Sequence, residues 1–309
     1  RSRGLGDVYK RQETKTTSKW IYATSRGVTV NKDGFSYELK PGTLLIVDEA
    51  SLAGTIALDT LRQQAADAGA KILLVGDWAQ LAAVDSGGGF GLLASARSNV
   101  AELTELHRFK SGWEKEASKL LRLGKTGALT AYEENGRIHS GLVENILEQA
   151  VEAWKEDETK LDAKGRAHKS LLIAATNEMA AQLNQIARKW RIEQHLVDTS
   201  VEAELETGTA GVGDRIVTRK NARHLKTRSG RWVKNNDEWV VEKIFDNGDI
   251  LASDNGDETI LPAGYARTSA QLAYATTAHR AQGRTVDTAH AIVDESSSRE
   301  TLYVAMTRG

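Results

Sequence analysis

The chain contains no cysteine, which excludes disulfides and thiolate metal sites and fits a reducing, cytoplasmic setting. It has no apolar stretch long enough to span a bilayer. Neither sign of charge is in excess. The formal net charge is -1, so there is no uniformly basic coat, and any nucleic-acid surface must be a local patch. What is present is ordinary for a globular protein, with 40% hydrophobic and 27% charged residues. A length of 309 residues allows two domains, each with its own core. Seven tryptophans is a high count, and Trp78, Trp232 and Trp239 lie close to polar motifs.

Residues 1–12 are basic and Gly-containing, without the apolar core of a signal peptide, and read as a non-native tail. The other end stops abruptly at Gly309, so both ends read as cut. Residues 13–100 read as a partial first α/β domain. A strand is predicted from Thr43 to Val47 after the turn at Pro41-Gly42. Thr55 can cap a following helix that carries Ile56, Leu58, Leu61, Ala65 and Ala68 and ends at Gly69. A second strand is predicted from Lys71 to Val75. Residues 101–309 read as a second α/β domain that opens with a helical linker over 110–169. Its first strand is predicted from Ser170 to Ala175, and a helix from Asn177 to about Glu193. Residues 211–268 alternate polar and apolar positions and carry Asp-Asn-Gly turns, the pattern of a small antiparallel β insertion. The parallel pattern returns near Leu272.

Two apolar runs end in acid. Leu44-Leu45-Ile46-Val47 leads into Asp48-Glu49, and Leu73-Leu74-Val75 into Gly76-Asp77 with Gln80 three residues on. Buried parallel strands end in this way when they deliver carboxylates to a nucleotide site. One carboxylate there holds Mg²⁺ through water, and its neighbour orients the attacking water. A Gln in the position of Gln80 can reach the γ-phosphate. The blander readings are charged strand ends that merely start loops. Such a site also needs a loop of the form GxxxxGK followed by Ser or Thr, and none occurs in these residues. Gly124-Lys125-Thr126 imitates its tail, but Lys119 occupies the position of the first glycine and no strand precedes it, so it reads as a helix end.

The phrases "LLIVDEASLAGTIALDTL", "AKILLVGDWAQLAAVDSGGGFGLL", "LTELHRF", "YEENGRI", "VGDRIVTRKNARHL", "YATTAHRAQGRTVD" and "ETLYVAMTRG" span most of the chain. Together they resemble the helicase portion of superfamily 1 enzymes of the RecD-like group, nearest in wording to MobF-class conjugative relaxases. The resemblance implies two RecA-like P-loop NTPase domains, the first truncated, with an SH3-like insertion in the second. It implies ATP and Mg²⁺ as cofactors and a phosphate loop upstream of residue 1, which would leave this fragment inactive. By the same resemblance Asp48 holds Mg²⁺, and Asp77, Gln282 and Gly283 belong to the nucleotide site. Glu49, Gln80, Arg108 and Arg308 are the implied catalytic set, with Arg308 as an arginine finger. Thr277 and His279 are implied to lie near DNA, with translocation 5′ to 3′. The nuclease half of a relaxase is absent from these residues.

Between Arg219 and Lys234 lie seven cations, Arg219, Lys220, Arg223, Lys226, Arg228, Arg231 and Lys234, without an acid among them, and Trp232 and Trp239 flank the end of the run. Cations that follow a phosphate backbone, with aromatic faces for bases, make a platform for single-stranded DNA. The plainer alternative is a solvated loop with core tryptophans. Conjugation or repair machinery is the expected setting. A RecD-type repair helicase is the alternative enzyme, and a nucleic-acid-binding module without motor activity is the alternative of another class.

Overall fold

In the computed structural model of the chain, residues 15–31, 34–83, 88–103, 109, 111–161 and 165–308 are described. The chain divides into two compact units, Arg1–Glu105 and Leu106–Gly309.

In the first unit, helix α1 (Thr17–Ser25) starts at Thr16, whose hydroxyl accepts the Lys19 N–H at 3.2 Å. Trp20 turns inward and meets Phe35 and Tyr37 edge-on, with ring centroids 6.1 and 5.5 Å away. Its indole N–H donates to the Gln64 carbonyl oxygen at 2.9 Å. Strand β1 (Leu44–Val47) pairs in parallel with β2 (Lys71–Leu74), with helix α2 (Thr55–Asp67) as the crossover between them. The expected cap is displaced by one residue. Extended Gly54 is the N-cap and Thr55 is already helical, so no side chain caps this end. Leu58, Leu61 and Ala65 are buried on the inner face of α2. Leu44 and Leu73 stay about half exposed, at 52% and 46%, although parallel strands are normally covered on both faces. Gly88, with φ of 96°, leads into α3 (Gly89–Ala96).

The second unit opens with helices α4 (Gly112–Arg122), α5 (Gly127–Glu134) and α6 (Val143–Glu158). Gly124 has φ of 67° and follows the C-cap of α4, so Gly124-Lys125-Thr126 is a helix end, as its context predicts. Strand β3 (Ser170–Ala174) leads into α7 (Asn177–Glu193). β3 is the middle of a three-stranded parallel sheet, flanked by β13 (Ala275–Thr277) and β14 (Thr288–Ala291). Between α7 and β13 the chain is almost entirely β. An edge hairpin of β4 (Asp198–Glu204) and β5 (Thr209–Val212) comes first. A five-stranded antiparallel sheet is built from β6 (Arg215–Thr218), β9 (Glu238–Ile244), β10 (Ile250–Asp254), β11 (Asp257–Leu261) and β12 (Ala270–Leu272). β7 (Ala222–Lys226) and β8 (Trp232–Val233) form a separate hairpin, and α8 (Ala263–Ser269) precedes β12. The β region therefore runs from Asp198 to Leu272, wider than the 211–268 expected. Its inner residues Ile216, Trp239 and Ile250 share one core with Trp154 of α6 and Leu183 of α7. Two short helices, α9 (Ala278–Ala281) and α10 (Arg299–Met306), complete the unit. No helix among the described residues is long and apolar enough to cross a membrane.

Candidate nucleotide and nucleic-acid sites

The first unit brings the two acidic strand ends together. At the end of β1, Asp48 and Glu49 are exposed, and the Asp48 carboxylate accepts the Glu49 N–H at 2.9 Å. Glu49 adopts φ 50° and ψ 43°, a left-handed conformation that non-glycine residues occupy at a cost of about 1–3 kcal/mol. Such strain persists where the surroundings enforce it, and here they do. The Ala50 N–H donates to the Val75 carbonyl at 2.8 Å, and the Val75 N–H to the Val47 carbonyl at 2.8 Å. A Cβ on Gly76 would meet the Ala50 and Ser51 nitrogens at 3.1 and 3.2 Å, so glycine is what lets the turns pack together. Asp77 organises the second turn. Its carboxylate accepts the Ala79 N–H at 3.1 Å and the Gln80 side-chain amide at 3.2 Å. A cavity of about 460 Å³ opens at Asp48 and Glu49, lined also by Thr16, Trp20 and Leu45. Ser51 has a buried hydroxyl without a hydrogen-bond partner. Among the described residues no group of three acids or histidines could hold a metal by itself. The donor set nevertheless suits Mg²⁺, which takes one or two carboxylates and completes its octahedron with water and phosphate oxygens.

In the second unit, β13 delivers the motif residues. Thr277 is the N-cap of α9, His279 is exposed, and Gly283 has φ of 80°. Gln282 lies at the C-cap of α9, and both polar atoms of its amide are buried without a hydrogen-bond partner. Buried amides are nearly always satisfied, which sets this one apart among the described residues. Arg308 is 1% exposed and folded onto its own helix end, with Nε donating to the Val304 carbonyl at 2.9 Å. Arg108 lies outside the described residues.

The basic run separates into two kinds of cation. Lys220, Arg223, Lys226, Arg228 and Lys234 are exposed. Arg223 and Lys234 both pack against the half-buried Trp232 ring, each 5.6 Å from its centroid. Arg231 is instead held by Asp237, Asp254 and Asp257, at 3.2, 2.9 and 3.6 Å. Arg219 donates to Gln271 at 2.9 Å and to Asn236 at 2.6 Å. Trp239 is a core residue, 2% exposed, with its indole N–H on Thr218 at 3.3 Å. Trp232, by contrast, keeps part of its ring at the surface.

Residues 4–142 match the family model of an AAA domain. A probable conjugal transfer protein TraA of Sinorhizobium fredii is 28% identical over 301 residues, covering 96% of this chain and 25% of that protein. The ATP-dependent RecD2 DNA helicase of Deinococcus radiodurans is 27% identical over 328 residues, covering 99% of this chain and 40% of the helicase. The chain is thus similar along nearly its whole length both to conjugal transfer proteins and to a RecD2 DNA helicase. It spans about a quarter of the length of the TraA proteins it matches. The structure of Pif1 helicase from Bacteroides in complex with ADP-AlF3 and ssDNA superposes with a TM-score of 0.51 at 16% identity. That superposition covers 93% of this chain and 75% of the Pif1 chain, and the fold is accordingly mixed α/β of the RecA-like helicase kind.

Several residues that the motifs do not announce position the strand that carries Thr277. Asn184 of α7 accepts the Tyr274 and Ala275 N–H groups at 2.8 and 3.0 Å and donates to the Ala275 carbonyl at 3.1 Å. It thereby pins the start of the strand that carries Thr277. Asp214 takes the Arg188 guanidinium at 2.7 Å, the Tyr274 hydroxyl at 2.6 Å and the Gly211 N–H at 2.8 Å. Burial, reinforced by the Asp214 charge, pushes the Tyr274 hydroxyl far above the usual phenol range, so it remains a donor. The available signal was the apolar stripe of α7, in which Asn184, Arg188 and Arg191 are buried beside Ala180, Leu183 and Ala187.

Proposed function

We propose that this chain is motor sequence of an ATP-dependent DNA helicase that moves on single-stranded DNA in conjugation. The observation that carries the nucleotide part is the strained Glu49 beside Asp48, braced by the Gly76 turn and opening onto a cavity. Asp48 would hold Mg²⁺, which supplies charge neutralisation at the phosphates when bound. Glu49 would orient the attacking water and draw its proton, and Gln80, anchored by Asp77, would sense the phosphate state. Asp77, Gln282 and Gly283 would complete the nucleotide contacts. Arg108 and Arg308 are assigned to the transferring phosphoryl group, which requires the Arg308 side chain to leave its own helix end. The two units correspond to two RecA-like domains in this reading, with the β region as an SH3-like clamp on DNA. Thr277, His279, Lys220, Arg223 and Trp232 would contact the strand, and translocation would run 5′ to 3′.

The named activity of the RecD2 relative and the ssDNA-bound Pif1 structure support this assignment. Binding is its direct test. The chain is expected to bind a single-stranded oligonucleotide with a steep salt dependence, and a chain that binds none would overturn the reading. Without a GxxxxGK loop in these residues, it is expected to show no ATP turnover above background even with that oligonucleotide present. Clear turnover would show that the loop is dispensable.

A further inference from the structure

Asn-Gly occurs three times in the chain, at Asn135-Gly136, Asn247-Gly248 and Asn255-Gly256. In each pair the side-chain amide carbon lies close to a main-chain nitrogen that no Cβ shields, so the two can close a five-membered imide. What separates the three sites is whether that nitrogen is engaged. The Gly136 N–H donates to the Glu133 carbonyl at 2.9 Å, and the Gly248 N–H to the Phe245 carbonyl at 2.8 Å. Asn135 is also tied through its amide to the Ala131 carbonyl at 2.8 Å. Asn247 is tied through both ends of its amide to Asp249, at 3.0 and 3.1 Å. The Gly256 N–H, by contrast, makes no hydrogen bond among the described residues.

The turn explains the difference. Asp254 and Asp257 face each other at the end of the β10–β11 ladder, so Asn255 and Gly256 form a two-residue loop with φ of 50° and 82°. The ladder closes through the flanking residues, which leaves the N–H of the second loop residue to solvent. Both loop residues are exposed, and a Cβ on Gly256 would meet nothing within 4 Å. The Asn255 amide donates to the Asp254 carboxylate at 2.8 Å. The two acids beside the loop are also partners of Arg231, at 2.9 and 3.6 Å. Asp257 in addition accepts the Ser229 N–H at 2.9 Å and the Ser229 hydroxyl at 2.7 Å. The Arg228 N–H donates to the Glu258 carbonyl at 2.8 Å. This turn therefore anchors the loop that joins β7 to β8.

We infer that Asn255 is a site of spontaneous deamidation in the folded chain, and that its isoaspartate product loosens the anchor of the β7–β8 loop. Hydroxide takes the Gly256 N–H proton, and the nitrogen attacks the Asn255 Cγ. The N–Cγ bond forms as the Cγ–Nδ2 bond breaks, and Nδ2 leaves as ammonia with a proton from water, which returns the hydroxide. Water then opens the imide at either carbonyl, giving aspartate or isoaspartate, and nothing is oxidised or reduced. At the other two sites a neutral hydrogen bond must open before the nitrogen can react, a handicap of about fivefold for each such bond. Isoaspartate adds one carbon to the main chain, which a two-residue loop cannot absorb while Asp254 and Asp257 stay paired. Both products also replace the amide donor to Asp254 with a second negative charge beside it. Neither nucleotide nor nucleic acid takes part, so the site stands apart from the helicase reading.

The test holds the whole 309-residue chain in warm, mildly alkaline buffer and follows each Asn-Gly peptide by mass spectrometry after digestion. A parallel sample is unfolded in guanidinium chloride. In the folded chain the Asn255 peptide should gain roughly 1 Da, the change of an amide to an acid, about fivefold faster than the Asn135 and Asn247 peptides or more. In the unfolded chain, where all three nitrogens are free, the three rates should converge. A folded chain in which Asn255 converts no faster than the other two refutes the site. An Asn255 lead that persists undiminished in the unfolded chain refutes the role of the turn. The isoaspartate form, separated by ion exchange and identified by fragment ions, should exchange its Arg228 and Ser229 amide hydrogens faster than the fresh chain. Asn255→Asp adds the charge without lengthening the main chain and should speed that exchange less. Unchanged exchange of both amides in the isoaspartate form would overturn the link to the β7–β8 loop.

Discussion

Asn184 offers the most exacting test of how the motif strand is held. Its carboxamide satisfies the Tyr274 N–H, the Ala275 N–H and the Ala275 carbonyl, all at 3.1 Å or less. The side chain is 8% exposed, so water does not reach it freely. Asn184→Leu fills nearly the same volume with methyl groups and leaves those three main-chain groups unpaired. At roughly 1 kcal/mol for each buried group left without a partner, the second unit should lose about 3 kcal/mol. With a urea dependence of about 2 kcal/mol per molar, the midpoint should fall by about 1.5 M. Hydrogen exchange gives the local reading, since the amides of Tyr274 and Ala275 should lose protection before those of the neighbouring strand β3 do. A midpoint shift below about 0.5 M, with both amides still protected, would refute the pinning role.

Three further outcomes are expected. Burial pushes the Asp157 carboxyl up, but hydrogen bonds from Lys160, His290 and Ser170 outweigh it and hold the group below its ordinary 3.8. Its contribution is therefore present above that value and lost as pH falls through the lower folded one, so Asp157→Asn should flatten the acid limb of a stability–pH curve; an unchanged limb would sink the assignment. Gly76→Ala drives a methyl against the Ala50 and Ser51 nitrogens and should destabilise the first unit by about 1–3 kcal/mol, read as a fall in its thermal midpoint. Trp232→Ala should weaken single-strand binding by about 1–3 kcal/mol with the fold intact, whereas Trp239→Ala should unfold the β region first; equal effects of the two on folding would contradict their different burial.

Much of the frame was legible because its signals are local. β1, β2 and β3 fall inside the predicted runs, and α7 runs from Asn177 to Glu193 as periodicity and the Thr176 cap require. The β region was read too short for a physical reason. In β4 only Ala203 is buried, because an edge hairpin packs on one narrow side, so the alternation that marks a strand is missing. The site motifs gave their positions but not their company. Nothing in the run from Arg219 to Lys234 reveals that Arg231 is claimed by three acids, two of which, Asp254 and Asp257, lie 23 and 26 residues further along the chain. Partners so distant in sequence are set by the sheet register, which no single stretch encodes.

The polar residues on α7 explain why that helix bears so much of the arrangement. Asn184 holds β13, Arg188 holds Asp214 and Glu202, and Arg191 holds Glu158. Glu158 in turn takes Arg215 through both oxygens, at 2.8 Å each. Buried ion pairs of this sort add little net stability over apolar packing, yet losing one partner is costly because the other stays charged and buried. Their consequence is geometric. An apolar contact tolerates sliding by an ångström, whereas a bidentate guanidinium–carboxylate pair does not. The β region is thereby held in one orientation to the strand that bears Thr277, which the Tyr274 hydroxyl on Asp214 reinforces. For one nucleic-acid strand to reach both the Trp232 face and Thr277, as the proposed function requires, their spacing must be fixed, and the polar face of α7 supplies that constraint.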